Sequence, residues 1–373
     1  MLQLAQVDQV TYQSYLKQHA ASFMQAPVWA QVKPEWSSEY VGWYSQESQL
    51  VGVAMILYRK MPGLKKHLAY IPRGPVIDWN SRQLEQWFQP LFAYLLKQDA
   101  FTVKMDPPVP LAHWRAAAIE AYLDKVQEYG LRNKELRDIA MDQVDPQSEY
   151  IQQALTEMGW SRKEREEENT VQPQYTFRIP LQGRTAKQLR QGLSPSWEKN
   201  LQIASQQGVL VRSGNASDLP TFYSLLKEKA EKEGKGIREF AYFERMFRAL
   251  SAESEADSPL QLAEQEGIIQ AGAIKVSMGE QVWSLYAASK VNPVHLPAKV
   301  LLFWEMISDA HEKGATVFDF RSMSPVLDPA TSSYDELTFL LGAGGVACEY
   351  IGEWDYPLHP MLHWAFEMYM KKR

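Results

Sequence analysis

The sequence predicts an α/β protein made of two domains of moderate size. The chain has 373 residues, 45% of them hydrophobic, which is more than one ordinary core holds. A helix, a meander, a second helix and a strand with an acidic residue occur in the same order twice, which suggests a duplicated α/β unit. There is no sustained heptad run, so we expect no coiled-coil arm.

The first half of the chain supplies the first copy of this order. After a short N-terminal helix, alternating or apolar runs separated by turn residues favour strands, and leucines at helical spacing favour a helix. The predicted elements are strands at Tyr40–Ser45, Leu50–Arg59 and His67–Ile71, a helix at Ser81–Gln98, and a strand at Phe101–Asp106.

The second half repeats the order after a mostly helical Ala112–Met158, a charged surface link at Ser161–Thr170 and a connector at Gly183–Gly192. Ser217 and Asp218 are typical helix caps, with Pro220 in the first turn. The predicted elements are helices from Ser217 to Glu233 and at Glu239–Leu250, strands at Gln261–Glu264, Ile268–Val276 and Gln281–Ala288, a helix at Ala298–Glu312, and a strand at Thr316–Arg321.

The segment Tyr334–Tyr356 places a glycine cluster between an apolar run and a predicted strand at Val346–Ile351. Glycines there indicate a backbone that bends sharply or lies close to another group. The following Trp354–Pro357 is predicted to end the strand, and a last helix is predicted to continue to Arg373.

Composition excludes several classes of protein. The single cysteine, Cys348, lies in a predicted strand and is expected to be buried, which suits a reducing cytoplasm. The N-terminus has no signal-peptide pattern and no run approaches the roughly 18 apolar residues of a membrane span, so we expect a soluble, cytoplasmic protein. A net charge of −6 argues against general nucleic-acid coating but leaves room for a local basic patch that grips one RNA.

Motifs of familiar enzymes are missing from the sequence, which contains no GxSxG, GxxxxGK[ST] or HExxH. The glycines at 342–345 lead into a strand and do not form a dinucleotide motif. His359 and His363 stand four residues apart and would share a helix face, but no third ligand is in view, and Pro360 and Trp364 indicate the start of a packed helix. We therefore expect no metal and no cofactor.

Three stretches pair charge with aromatic side chains or with a strand end. Lys33 lies between two tryptophans, where its stem would either cover aromatic surface or present a cation. Arg238 and Tyr242 lie four apart at a helix start and would either meet a phosphate or form a helix-face pair. Asp106 ends a strand before two prolines and would either orient an amine or cap a turn.

Taken in order, these residues resemble the FemABX family, which attaches amino acids from aminoacyl-tRNA to the peptide of peptidoglycan precursors. The resemblance spans nearly the whole chain and is strongest to the FemX and MurM branches. The matching stretches are QAPVWAQVKPEW, YIPRGPVIDW, VKMDPPV, NTVQPQY, GIREFAYFERM, VWSLYAAS, FWEMISDAHEKGATVFDFRS and EYIGEWDYPLHP.

The resemblance implies two acetyltransferase-like (GNAT-like) α/β domains, the first formed by residues 1–170 and 353–373 and the second by residues 171–352. It implies aminoacyl-tRNA as donor and lipid II or UDP-MurNAc-pentapeptide as acceptor. An activated ester that meets an amine needs no covalent enzyme nucleophile, which fits the missing motifs.

The resemblance also implies roles for single residues. Lys33 and Arg238 would face the diphosphate of the precursor, with Tyr242 beside them. Asp106 would lie near the acceptor amine of the peptide. Tyr286, in SLYAAS, would line the acyl-transfer site.

Three positions depart from the family pattern. Family members commonly have a Phe-Lys pair ahead of the glycines, whereas this chain has Phe339 and Leu340. Ser284 stands where a tyrosine is expected, and Pro195–Gly208 is less basic than its counterparts. Either another cation substitutes for the lysine, or the protein is an acyltransferase of the same fold acting on another amine, for example with acyl-CoA, or it binds the precursor without turnover. The transferred amino acid and the oligomeric state stay open.

The segment PMLHWAFEMYMKKR combines apolar side chains with basic residues, as an interfacial helix does. We favour packing of these apolar side chains on the first domain. A weak contact with a membrane surface is the alternative.

Overall fold

The computed structural model describes residues 2–61, 63–126, 128–162, 172–253, 257–290 and 296–370. The chain forms two compact units. The first unit consists of Met1–Leu111, Val144–Gln174 and Glu349–Arg373, and the second consists of Ala112–Gln143 and Tyr175–Cys348. Residues 112–143, which the predicted boundaries assign to the first domain, thus group with the second unit.

Each unit combines one mixed sheet with helices. The strands are β1 (Gln3–Gln6), β2 (Ser37–Tyr44), β3 (Leu50–Lys60), β4 (His67–Ile71), β5 (Ala100–Met105), β6 (Pro110–Arg115), β7 (Gln143–Val144), β8 (Ser161–Arg162), β9 (Tyr175–Pro180), β10 (Leu210–Ser213), β11 (Leu260–Gln265), β12 (Ile268–Met278), β13 (Gln281–Ser289), β14 (Val317–Asp319), β15 (Val346–Tyr350) and β16 (Trp354–Tyr356). The α-helices are α1 (Gln9–Leu16), α2 (Pro27–Val32), α3 (Glu85–Lys97), α4 (Ala116–Lys125), α5 (Pro146–Glu157), α6 (Ala186–Gln191), α7 (Pro195–Gln206), α8 (Leu219–Lys232), α9 (Phe240–Glu253), α10 (Leu296–Glu312), α11 (Tyr334–Gly342) and α12 (Pro360–Met370).

The sheet of the first unit has the order β1-β2-β3-β4-β5-β16-β8. β2, β3 and β4 form an antiparallel meander, and α3 then leads to β5, which pairs with β4 in parallel. The apolar run of β3 is buried from Gly52 to Tyr58 because it lies inside the sheet. The apolar stripe of α3 contributes Trp87, Leu91 and Leu95 to the same core as Trp354 of β16.

The second sheet has the order β10-β11-β12-β13-β14-β9-β15-β6-β7. β11, β12 and β13 form a meander, and α10 then leads to β14, which pairs with β13 in parallel. Both units therefore contain a meander, a helix and a parallel strand in the same order. The predicted mixed α/β fold with two sheets is confirmed.

The prediction that Ala112–Met158 is mostly helical is confirmed by α4, α5 and two short 3-10 helices, although its first residues belong to β6, which pairs into the second sheet. Three other local predictions are wrong. The connector Gly183–Gly192 contains the helix α6. Trp354, predicted to end a strand, begins β16, which pairs with β5 and β8. Asp218 makes no side-chain cap of α8, because its carboxylate accepts from Arg212 at 2.8 Å.

The remaining differences are smaller. The strand β1 was not predicted. The link predicted at Ser161–Thr170 lies outside the described residues beyond Arg162, since Ser161 and Arg162 themselves form β8. Cys348 is buried, as expected. Among the described residues, no helix has both the length and the hydropathy that a membrane crossing requires.

The glycine cluster packs the end of α11 against neighbouring backbone. A Cβ on Gly342 would lie 2.3 Å from the indole of Trp197 in α7. Gly344 has a φ of +72°, and a Cβ there would lie 1.9 Å from the carbonyl oxygen of Gly192. The cluster therefore meets the predicted need for a bend and a close approach, and it fixes α11 beside the start of α7.

Candidate functional site

In the first unit, a buried carboxylate follows β5. Asp106 is 3% exposed and accepts hydrogen bonds from the Tyr70 hydroxyl at 2.8 Å and from the backbone N–H of Arg73 at 3.1 Å, both on Oδ1. Desolvation raises the pKa of Asp106 to about 6, although the charge of Arg73 and the Tyr70 hydrogen bond oppose the shift. The carboxyl thus titrates close to neutral pH, as a proton acceptor for an amine requires.

Arg73 is held firmly beside this carboxylate. Its Nε lies 3.4 Å from Oδ2 of Asp106, and its guanidinium lies over the ring of Tyr350 at 4.4 Å. The same guanidinium donates to the carbonyl oxygen of Pro173 at 2.5 Å. Arg73 has a φ of 46°, which the tight turn of YIPRGP imposes. Asp106 therefore binds the backbone and the side chain of the turn at Arg73. These contacts favour a role in ordering that turn over the alternative role as a cap of its own turn.

Lys33 follows α2 and is half-buried, with its Nζ 5.8 Å from the ring centroid of Trp29. This position agrees with a lysine stem that covers aromatic surface. The ring of Trp36 lies 6.2 Å from that of Tyr70, whose hydroxyl donates to Asp106. Lys33 and Asp106 thus lie in the same unit, but each contacts a different aromatic side chain: Lys33 contacts Trp29, and Asp106 is bonded by Tyr70.

In the second unit, three predicted residues lie together. Tyr242 is 8% exposed, and its ring is 6.4 Å from that of Tyr286 at an interplanar angle of 76°. Burial and the neighbouring Tyr286 raise the pKa of Tyr242, so its hydroxyl stays protonated. Arg238 is exposed, with its guanidinium 5.8 Å from the Tyr242 ring, and Phe243 packs edge-on against Tyr286 at 4.9 Å. The pair at 238 and 242 is a cation over a ring at the start of α9.

The second unit also contains a cavity of about 620 Å³, a volume typical of ligand sites. The N-terminal turn of α7 lines one part of it, with Ser194 as the N-cap residue. Backbone N–H groups at a helix start favour anions. Four lysines line the cavity together with four acidic side chains, so both cationic and anionic parts of a ligand find partners; the lysines are Lys229, Lys232, Lys290 and Lys299.

Lys299 is an enclosed cation of this cavity, with a side chain that is 15% exposed, compared with 36% for Lys229. Its Nζ lies 3.6 Å from the ring centroid of Phe339 and 2.9 Å from a carboxylate oxygen of Glu336. Desolvation lowers the pKa of Lys299, against the opposing charge of Glu336. Desolvation would raise the pKa of Glu336, but the ammonium groups of Lys299 and Lys229 outweigh it and hold that pKa at about 2. Glu336 is therefore ionised at neutral pH, and its charge favours the protonated form of Lys299.

Lys299 was missed by the sequence analysis. The residue lies in the first turn of α10, where Ala298, Val300 and Leu302 are all buried. A lysine within such an apolar run is the signal that could have identified it, because buried lysines need a partner or a function. Leu340, the departure from the family pattern, is 1% exposed. Because Lys299 lies on the ring of the preceding Phe339, it is the candidate for a substitute cation.

The two histidines considered as metal ligands do not act together. The backbone N–H of His359 donates to Phe101, while Nδ1 of His363 lies 3.0 Å from the Thr102 hydroxyl. The ligand atoms of His363, Asp355 and Glu367 lie within 4.8 Å of one another. Lys104 lies 3.3 Å from Asp355, and an ammonium there competes with a metal cation.

Solved structures resemble this fold. The crystal structure of FemX matches 98% of this chain and 100% of its own chain, with a TM-score of 0.78 and 20% sequence identity. The structure of L-PGS from Bacillus licheniformis matches 95% of this chain and 93% of its own, with a TM-score of 0.50 and 11% identity. These likenesses define the class, a two-unit α/β protein with the fold of FemX.

The chain belongs to the FemAB family, whose model matches residues 7–256 and 247–372. Similar proteins are named lipid II:glycine glycyltransferase. The protein of Staphylococcus saprophyticus subsp. saprophyticus is 23% identical over 423 residues, which cover 95% of this chain and 93% of the relative. That of Staphylococcus epidermidis (strain RP62A) is 22% identical, and the match covers 94% of this chain and 92% of the relative. That of Staphylococcus aureus (strain USA300) is 21% identical, and the match covers 95% of this chain and 93% of the relative. The predicted family resemblance is confirmed, and the relatives support a transferase.

Proposed function

We propose that this protein is an aminoacyltransferase that moves an amino acid from aminoacyl-tRNA to the stem peptide of a peptidoglycan precursor. The observation that carries the proposal is the match to lipid II:glycine glycyltransferases along more than nine-tenths of both chains. The names of these relatives favour lipid II as the acceptor, with UDP-MurNAc-pentapeptide as its nucleotide-linked counterpart. The same relatives favour glycine as the first donor to test.

The acceptor amine is assigned to Asp106 of the first unit. A carboxyl with a pKa of about 6 is ionised at neutral pH and accepts a hydrogen bond from an amine. As the amine attacks the ester carbonyl, the C–N bond forms, the C–O bond to the ribose breaks, and one proton moves from the nitrogen to the leaving ribose oxygen. Asp106 takes up that proton from the amine and releases it again, so the carboxylate is unchanged at the end of the reaction.

The donor is assigned to the cavity of the second unit. An aminoacyl ester at the 3′ end of an RNA carries phosphates and a protonated α-amine, and the mixed lining of lysines and carboxylates suits both. At the start of α7, Pro195 has no N–H and the N–H of Trp197 donates to Ser194, so the N–H of Ser196 is the donor of this turn that we assign to a phosphate. Tyr286 is not among the described lining residues, and we assign its hydroxyl to the acyl group only as a proposal.

Lys299 is the substitute for the cation that the family pattern places at position 340. Its side-chain nitrogen is desolvated, lies beside the carboxylate of Glu336 and is held on the ring of Phe339, the residue that precedes Leu340. A preorganised cation in such a setting stabilises the oxyanion that develops on the ester carbonyl. Lys33, Arg238 and Tyr242 keep the role that the resemblance implies, which is to bind the diphosphate of the acceptor.

The test is aminoacyl transfer with purified components. The protein is incubated with glycyl-, alanyl- or seryl-tRNA and with either lipid II or UDP-MurNAc-pentapeptide, and the product is identified by mass spectrometry. We expect one added residue or more on the stem peptide, and none with uncharged tRNA or after ribonuclease treatment. A product that forms from acyl-CoA without tRNA would replace this proposal by an acyltransferase of the same fold, and precursor binding without any product would replace it by a binding protein.

A further inference from the structure

The helix α12 has one face docked on the first unit and one face exposed. On the docked side, Phe366 packs edge-on against Phe101 at 5.5 Å, and His363 contacts the Thr102 hydroxyl. None of the described residues of α12 is fully buried. The interpretation that its apolar side chains pack on the first domain is therefore wrong for most of them and correct for Phe366.

The exposed face is an apolar stripe. Met361 is 85% exposed, Trp364 66% and Met368 42%. These residues are spaced by three and four positions and so lie on one side of the helix. Tyr369 and Met370 extend the exposed apolar surface at the end of the helix, with exposures of 51% and 50%.

The stripe is followed in the sequence by Lys371, Lys372 and Arg373. A short helix with apolar side chains on its outer face, with tryptophan and tyrosine among them and basic residues next to it, has the properties of an interfacial helix. Eleven residues make a helix about 16 Å long, which lies in the plane of a membrane surface and is too short to cross it.

We propose that the outer face of α12 docks onto the surface of a membrane that contains anionic lipid. The Met361–Trp364–Met368 stripe enters the boundary between headgroups and acyl chains, and the positive charge of the sequence that follows α12 favours a surface with anionic lipid. The choice of a lipid surface rests on the proposed function, because an acceptor such as lipid II is itself held in a membrane.

A lipid surface fits this face better than a second protein does. A stable protein interface buries roughly 800 Å² on each partner. One helix that presents three to five apolar side chains offers considerably less than that, whereas shallow insertion into a membrane needs only such a stripe plus favourable charge. The docked side of α12 holds the stripe outward, so insertion does not require the helix to leave the first unit.

The test is binding of the full-length protein to vesicles made of phosphatidylglycerol and phosphatidylcholine, measured by co-sedimentation and by the blue shift of tryptophan fluorescence. The variant carrying Met361→Ser and Trp364→Ser is compared with Val10→Ser, which removes a side chain that is 73% exposed on α1 of the same unit. We expect the double substitution to weaken binding by about tenfold or more, because burial of one large apolar side chain is worth at least the roughly 1.4 kcal/mol of a tenfold change. The Val10→Ser variant should bind as the wild type does.

Aminoacyl transfer to the water-soluble UDP-MurNAc-pentapeptide is measured in parallel, so that failure of docking and failure of the proposed function are separate results. Docking predicts that the α12 double variant keeps this transfer and loses vesicle binding. Equal vesicle binding by both variants, or binding to pure phosphatidylcholine as strong as to anionic vesicles, would overturn the proposal. Wild-type protein that ignores vesicles but self-associates through this face in sedimentation velocity would also overturn it, in favour of a second copy of the chain.

Discussion

Replacing Lys299 with methionine removes the enclosed ammonium and changes little else. Methionine has a similar length and packs well on an aromatic ring, so the contact with Phe339 is retained in kind. Glu336 loses its partner at 2.9 Å, but its side chain is 41% exposed and can be hydrated. We therefore expect a loss of about 1 kcal/mol in the free energy of unfolding, the size typical of a partly exposed ion pair.

The effect on catalysis should be much larger. A donor that stabilises a developing oxyanion contributes about 10² to 10³ in kcat, or about 2.7–4 kcal/mol. Because this interaction is made in the transition state, kcat should fall by that factor while KM for the aminoacyl-tRNA changes by less than about threefold. The assay is steady-state transfer to UDP-MurNAc-pentapeptide, with circular dichroism to confirm that the variant is folded.

Lys290→Met is the matched control, since it removes a lysine from the same cavity that does not lie on the Phe339 ring. We expect it to raise KM for the RNA and to leave kcat close to that of the wild type. If folded Lys299→Met protein keeps kcat within about threefold of the wild type, the assignment of the oxyanion cation is wrong. Adding Leu340→Lys to Lys299→Met should recover part of the lost kcat if the position of the charge, rather than the particular residue, is what the reaction needs.

Three further predictions concern other residues. Asp106, with a pKa raised from 3.8 to about 6, binds its proton more tightly in the folded state than in the unfolded state. Its contribution to the free energy of unfolding is therefore greatest below pH 4 and falls by about 3 kcal/mol as pH rises through 6. The variant Asp106→Asn should flatten this pH dependence in denaturant titrations and abolish the rise in transfer rate near pH 6. Tyr286→Phe keeps the ring contact at 4.9 Å with its neighbour on α9 and should lower kcat/KM about tenfold at nearly unchanged stability, and an unchanged kcat/KM would remove it from the acyl-transfer site. Gly344→Ala places a Cβ 1.9 Å from a backbone oxygen and should lower the free energy of unfolding by at least about 2 kcal/mol. The control Gly183→Ala, at a φ of +73° in open space, should lower it by about 1 kcal/mol. Equal losses of the two variants in thermal unfolding would contradict the role of the close approach.

Local pattern was sufficient for the elements with a clear apolar run or an apolar helical stripe. β4 matches its predicted bounds, and β3 and α3 differ from prediction by a few residues at their ends, because their apolar runs are long enough to define a strand or a helix by themselves. β6 and β16 were mispredicted because β6 begins at a proline that follows two others and β16 has only three residues, so neither has a clear strand pattern. What makes them strands is pairing with partners far away in the sequence, which a local pattern does not contain.

Some residues of the candidate site were likewise predicted from the sequence, and others became evident only from the structure. Asp106, Tyr242 and Tyr286 were reached from motifs that carry the family resemblance, and the structure adds their burial and partners. Arg73 lies inside a quoted motif, but its importance comes from a turn that brings its guanidinium back to Asp106. Lys299 is 41 positions before Leu340 in the sequence, and only the packing of α10 against α11 reveals that its ammonium lies on the adjacent phenylalanine.

Asp106 is buried and Glu336 is partly exposed, and the two carboxylates have opposite electrostatic environments, which supports different proposed roles for them. Desolvation dominates at Asp106, which has one arginine near it, and raises its pKa to about 6. At Glu336 two lysines outweigh desolvation and hold the pKa at about 2. A group with a pKa near 2 does not take up a proton at neutral pH, so Glu336 serves to keep Lys299 charged and oriented. Asp106, which titrates near neutrality, is the group suited to receive the proton of the attacking amine.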